Sequence, residues 1–265
     1  MRPTTSRILH GLHGLLTANE LTRGPQRRLV RKVKSALNVP DAYGEIVKIC
    51  QLLPPAAILD VGSHRGTTIV RYIDELGSIP IHGFEPTPES YEYLRQRFEG
   101  FKQVFLHNVA LSDESGVHEF FCNVDEQTNS LLDNDAENEE SFGEDSAHVR
   151  RIEVRTTTLD EWAAREIPDG RLVLKVDVQG AEGLLIEGGQ QTIRERVIAF
   201  YSEVMLSPMY SGQTDFGAVH ERLTTELGFV LRNIYPCLHN DSGKAVQADA
   251  LWVKPPVLEA LRGQP

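Results

Sequence analysis

The sequence has little cysteine, no long apolar run and a shortage of positive charge. Cys50, Cys122 and Cys237 are its three cysteines, and they lie too far apart for a zinc spacing or an even disulfide framework. A reducing compartment fits that usage best. No apolar stretch approaches the ~20 residues of a membrane span. The N-terminus carries arginines without the continuous apolar core of a signal peptide, so a cytoplasmic protein with no transmembrane segment is expected. A net charge of −11 argues against a general nucleic-acid binder. The Walker phosphate loop is missing, and so is Gly-x-Gly-x-x-Gly. None of the seven tyrosines has a lysine four residues later, which weakens a nicotinamide-dependent reductase or sugar epimerase as a reading.

What is present suffices for one well-cored domain with additions: 265 residues, 40% hydrophobic and 25% charged. Charge is unevenly spread. Residues 1 to 40 carry eight basic side chains, from Arg2 to Lys34, against the single acid Glu20, whereas residues 113 to 145 hold many acids and no Lys or Arg. Leu29, Val30, Val33 and Leu37 recur at helical spacing, so residues 1–53 are expected as a basic helical extension. Such helices could form a homodimer contact or dock on an anionic partner. His10 and His13 sit one helical turn apart without a carboxylate or cysteine neighbour, which is poor evidence for a metal. From 54 to 256 strands and helices alternate, the pattern of an α/β fold with a parallel sheet. A turn between the last two strands predicts an antiparallel strand at one edge. Residues 123–148 are polar, acidic and aperiodic, the mark of a lid-like insertion.

The chain is organised around Ala57-Ile58-Leu59-Asp60-Val61-Gly62-Ser63-His64-Arg65-Gly66. It reads as a buried strand running into a glycine turn and then an amphipathic helix. Gly62 and Gly66 would let backbone approach a ligand, and the helix start would aim N–H groups at it. About twenty residues on, a second strand ends in Phe84-Glu85-Pro86, with Glu85 placed to grip two ribose hydroxyls in a doubly wound fold. Arg171 to Asp177 is a nearly continuous apolar run, as for a strand buried on both faces.

These stretches resemble a class I S-adenosylmethionine-dependent methyltransferase, and within that class the FkbM family. The likeness runs from about Ile58 to Val253. It rests on the glycine turn, on Phe84-Glu85-Pro86, on Asn108-Val109-Ala110-Leu111-Ser112, on Thr158-Leu159-Asp160 and on Leu174-Lys175-Val176-Asp177-Val178-Gln179-Gly180-Ala181-Glu182. Glu203, Pro208, Tyr210, Gly212, Gln213 and Asp249-Ala250-Leu251-Trp252-Val253 extend it. There are two departures: Gln179 stands where the family has Glu, and His64 where members often have Asn. The resemblance implies a Rossmann-like sheet, S-adenosylmethionine as cofactor and a small-molecule or glycan hydroxyl as acceptor.

It also assigns roles. Asp60 is expected to meet the cofactor's ammonium, directly or through water, with Gly62, Ser63 and Gly66 forming the turn. Glu85 takes the ribose, Asn108 the base edge, and Phe84 or Val109 flanks the adenine. Ser130, with Asn129, resembles a family patch near the cofactor. Asp177, Glu182 and Glu203 are candidates for removing the acceptor's proton, Asp177 first, with Lys175 as orienting or charge-balancing group. Tyr210 and Gln213 are candidate acceptor contacts. Asp177 with Glu182 offers oxygen ligands for a divalent cation, but no aspartate pair supports one, and no metal ligand is assigned. A non-catalytic binding module on the same fold is the remaining alternative.

Overall fold

Ala57–Val61 forms β1, buried at all five positions because helices cover both faces of the sheet. Leu172–Val176 forms β7 for the same reason. The structure, a computed structural model, describes residues 41–135, 148–240 and 242–263. The basic helices expected before residue 41, with His10, His13 and the dimer contact suggested for them, lie outside the described residues, as does the 136–147 part of the acidic insertion.

The chain begins its described course with α1 (Ala42–Leu52), then β1 and α2 (Thr67–Leu76). Next come β2 (Ile81–Phe84), α3 (Pro88–Arg97), β3 (Val104–His107), β4 (Ala110–Leu111), β5 (Gly116–Asn123) and β6 (His148–Thr157). Then follow α4 (Leu159–Glu166), β7, α5 (Glu182–Gly188), α6 (Gln190–Glu195), β8 (Val197–Met205) and α7 (Phe216–Glu221), which runs into a π turn. The chain closes with β9 (Val230–Ile234), β10 (Leu238–His239), β11 (Ala245–Val253) and α8 (Pro255–Arg262).

The main sheet has the order β3-β2-β1-β7-β8-β11, with β9 and β10 both paired to β11. Strands β3, β2, β1, β7 and β8 pair in parallel along that order, and β11 lies antiparallel to β8. The order reverses between β1 and β7, which opens a crevice at their carboxyl ends. One face of the sheet packs Trp162, Leu185, Phe200 and Trp252. The other packs Ile46, Ile49, Tyr72 and Leu251.

One boundary differs from the sequence expectation, and two further features shape the surroundings of the crevice. Helix α1, expected with the N-terminal extension, buries Ile46, Ile49 and Cys50 against Ile58 and Ile69 and so belongs to the unit Ala42–Pro265. Strand β3 stops at His107. There the Asn108 amide turns back to bind the Glu85 and Pro86 carbonyls, each at 2.9 Å. Residues 110–111 then join a second sheet, β4-β6-β5, in which β5 and β6 pair antiparallel.

Glycine matters at two positions for a reason other than a ligand. Gly62 has φ 77°, and a Cβ there would stand 1.8 Å from the Asp177 carbonyl oxygen. Gly66 has φ 73°, and its Cβ would meet the Phe98 ring at 2.5 Å. Both sites combine left-handed backbone with contact between chain segments. Gly66→Ala is therefore expected to cost about 2 kcal/mol of unfolding free energy from strain and overpacking together. Denaturant titration checks this, and a loss below about 0.5 kcal/mol would contradict the packing argument.

At the β2–β3 edge, His82 Nδ1 lies 3.0 Å from His107 Nε2, and His82 stacks on Phe105 and His107. Burial, with His107 adding to it, lowers the His82 pKa from 6.5 to about 4. The folded chain thus refuses a proton that the unfolded chain accepts. This contribution is whole above pH 6.5 and is lost as pH falls toward 4. His82→Leu should show a shallower loss of urea midpoint across that window; an unchanged slope would assign the pH dependence elsewhere.

Candidate active site

The carboxyl ends of β1, β2, β7 and β8 converge on a cavity of about 310 Å³. Its wall includes Gly62, His64, Glu85, Val109, Asp177, Gln179 and Glu203. An apolar section is formed by Phe84, Leu111, Phe120 and Leu131. Among the described residues, five carboxylates line it (Glu85, Asp125, Glu126, Asp177 and Glu203) and no Lys or Arg does.

At one end stands Glu85, only 6% exposed. Its Oε2 accepts from the His64 backbone N–H at 2.8 Å, and its Oε1 from the Thr87 N–H and hydroxyl at 3.0 and 2.6 Å. Burial raises its pKa, and these donors oppose the rise. A carboxylate has about four acceptor sites, so capacity remains for a ligand hydroxyl. His64 adopts φ 44°, in the left-handed region. Asn is enriched there, as is His, which accounts physically for either residue at this turn.

Behind the wall lies a charged pair. Asp60, fully buried, is 3.2 Å from Lys175 Nζ, which also donates to the Gly62 carbonyl at 2.9 Å and stands 3.6 Å from Asp177. Strand register creates this cluster, because Asp60 pairs with Lys175 across β1 and β7. Burial pulls the Lys175 pKa down, but Asp60 and Asp177 outweigh it and hold the pKa above its ordinary value. Burial raises that of Asp60, against Lys175. Neither Asp60 nor Lys175 lies on the cavity wall.

At the other end Glu203 is held from both sides. Gln179 Nε2 donates to its Oε2 at 2.6 Å and Gln247 Nε2 to its Oε1 at 2.7 Å. Gln179 Nε2 also reaches Asp177 Oδ1 at 2.9 Å. Burial, then the carboxylates Asp177, Asp249 and Glu182, pushes the Glu203 pKa well above the carboxylate range. Glu182 is buried at the start of α5, off the wall, and burial lifts it to about 7.

Several other expected ligands also sit off the wall. Ser63 donates to the Asp60 carbonyl at 2.8 Å. Gly66 packs against Phe98, and Asn108 ties two carbonyls as above. Ser130 donates to the Gln179 carbonyl at 2.7 Å, while its neighbours Asn129 and Leu131 do line the cavity. Tyr210, 3% exposed, gives its hydroxyl to Gln179 Oε1 at 2.8 Å. Gln213 spends its side chain on its own loop, accepting from the Met209 and Tyr210 N–H groups and donating to the Ser207 carbonyl. The structure adds residues that the sequence did not single out. Asp125 to Thr128, from the expected insertion, and Gln247 of β11 are on the wall. Gln247 carried no sequence signal, since its place depends on the β8–β11 pairing. Among the described residues no cluster of three or more His, Cys, Asp or Glu is arranged to hold a metal ion. Nor is any described helix long and apolar enough to cross a membrane.

A parallel sheet that reverses between β1 and β7, with an antiparallel strand beyond β8, is the Rossmann-like sheet of class I methyltransferases. Residues 60–231 match the model of the methyltransferase FkbM domain. The chain thus belongs to the FkbM family and is a methyltransferase. It is 28% identical over 207 residues to the 2-O-methyltransferase NoeI of Sinorhizobium fredii, covering 73% of this chain and 80% of that protein. Among solved structures, fibrillarin of Aeropyrum pernix with bound S-adenosyl-L-methionine aligns at a TM-score of 0.43 and 12% identity, over 76% of this chain and 68% of that one. The precorrin-6y C5,15-methyltransferase of Geobacter metallireducens aligns at 0.41 and 9%, over 80% and 86%.

Removing the buried cation tests the charge cluster. Lys175→Met leaves Asp60 buried without its counter-charge and is expected to cost about 3–5 kcal/mol. The double variant Asp60→Leu/Lys175→Met should recover more than half of that loss in denaturant titration. No recovery would mean that the carbonyl contacts of Lys175, rather than its charge, hold the turn.

Proposed function

We propose that this methyltransferase uses S-adenosylmethionine to methylate a hydroxyl of a sugar, glycoconjugate or polyketide-type small molecule in the cytoplasm. The observation that carries this reading is the division of the cavity. A buried carboxylate with spare acceptor capacity, Glu85, stands at one end, and the hydrogen-bonded acids Asp177 and Glu203 stand at the other. The name of the NoeI relative, a 2-O-methyltransferase, supports oxygen as the methylated atom.

The residues present fit the cofactor. Glu85 would take the ribose hydroxyls, and Phe84, Val109, Leu111 and Phe120 supply an apolar slot for the base. Asp60 would act from behind, fixing the glycine turn through Lys175. When bound, S-adenosylmethionine supplies a methyl group activated by a sulfonium. The chain's own part is to align donor and acceptor, which can account for much of the rate, and to take the hydroxyl proton. A neutral hydroxyl is a poor nucleophile, and a carboxylate whose pKa is raised toward the working pH is the more effective base. Glu203, whose pKa burial and the neighbouring carboxylates raise, is the group on the wall for that task, with Asp177 bridged to it through Gln179. A nicotinamide reductase is disfavoured by the missing glycine and Tyr-x-x-x-Lys patterns.

Calorimetric titration with S-adenosylmethionine, S-adenosylhomocysteine and NAD tests the cofactor. The two sulfur compounds should bind and NAD should not. Glu85→Ala, checked for folding by thermal melting, should weaken binding at least tenfold. Binding of NAD in place of the sulfur compounds would overturn the reading.

A further inference from the structure

Gln179 leaves β7 with φ 55°, a left-handed conformation uncommon for a residue other than glycine. Its amide nitrogen gives one N–H to Asp177 and one to Glu203, at 2.9 and 2.6 Å, and its amide oxygen accepts the Tyr210 hydroxyl at 2.8 Å. Both of its donors are therefore used on two carboxylates that line the cavity. A glutamate here would offer neither N–H and would set a third carboxylate against the other two. The neutral amide bridges Asp177 and Glu203 without adding a charge between them.

We propose that Gln179 is a positioning residue for methyl transfer, clamping Asp177 and Glu203 together as the proton-accepting pair for the acceptor hydroxyl. This rests on the methyl-transfer reading above. In the step, the hydroxyl proton passes to the carboxylate pair while the oxygen's electron pair bonds the methyl carbon. The carbon–sulfur bond breaks with its electrons on sulfur, leaving a thioether.

The surroundings set how the pair holds its proton. Facing Glu203 are Asp177 from the end of β7, Asp249 from β11, Glu182 from α5 and Tyr210 from the loop after β8. Asp177 has Lys175 at 3.6 Å, whereas Glu203 makes no ion pair among the described residues. Amide donors on a carboxylate favour its charged form. Gln179 thus lowers the cost of ionising Glu203 beside Asp177 and keeps the pair able to exchange a proton.

Carboxyl carbon-13 NMR on glutamate-labelled protein follows that proton without any acceptor. The Glu203 signal is assigned by its loss in Glu203→Gln. Gln179→Met removes both donors at similar length and should raise the Glu203 midpoint by at least one pH unit. Gln179→Glu should raise it further or split it into two coupled steps. A midpoint unmoved in a folded Gln179→Met protein overturns the proposal. Should that variant not fold, Asp177→Asn takes its place. There the midpoint should fall as the facing charge is removed, and no change would equally overturn the pairing. The wild type should bind S-adenosylmethionine in calorimetry. Failure of the wild type to bind would defeat the functional reading, and the carboxyl titration would still decide whether the pair exists.

Discussion

One ammonium group, that of Lys175, sits inside the sheet at the point where strand order reverses. A cation there would be prohibitively costly alone. It is tolerated because Asp60 faces it from β1, Asp177 stands at the end of its own strand, and the Gly62 carbonyl accepts a hydrogen bond from it. The same contacts fix the turn after β1 against the end of β7. Gly62 is required by that closeness, since a side chain would strike the Asp177 carbonyl. The cavity opens where the two segments touch.

Uncharged amides then order the acids. Five carboxylates around one cavity would repel each other and attract stray protons. Glu85 is kept apart by its own donors, the N–H groups of His64 and Thr87. Asp177 and Glu203 are joined through Gln179, and Gln247 holds the far side of Glu203. Glu126 meets Arg65 at 2.6 Å outside the wall. The surroundings of these acids therefore differ: Arg65 lowers the pKa of Glu126, whereas burial raises those of Glu85 and Glu203.

The sheet and its central strands were legible because burial on both faces leaves an unbroken apolar run, as in Ala57–Val61 and Leu172–Val176. The glycine turn, Glu85, Val109, Asp177 and Glu203 were legible as motif positions, and they do meet at one cavity. Motif position does not determine where a side chain points. Asp60 lies in the motif, but strand alternation and register turn it to Lys175. Tyr210 and Gln213 are motif positions in the loop after β8, but their hydrogen bonds close on Gln179 and on the loop itself. Gln247 was invisible because only the antiparallel pairing of β11 with β8 brings it to Glu203. The departure at Gln179 was visible as a missing carboxylate, while its bridging role needed the distances.

The second sheet explains how the cavity is covered. Strand β5 carries the chain into Asp125–Leu131, and the bridge between Phe121 and Ser130 folds that segment back. Ser130 then bonds the Gln179 carbonyl, and the Tyr210 hydroxyl lies 3.2 Å from the Thr128 carbonyl while donating to the Gln179 side chain. Gln179 thus touches the covering segment through its backbone and the acid pair through its side chain. Glu85 takes no part in this network, being held by the β2 turn and His64. The two ends of the cavity are therefore built on hydrogen-bond systems that meet through Lys175 and Gly62 and through Glu126 of the covering segment, which pairs with Arg65 in the β1 turn. A displacement of the covering segment would reach Asp177 and Glu203 directly through Gln179, but would reach Glu85 only through the β1 turn.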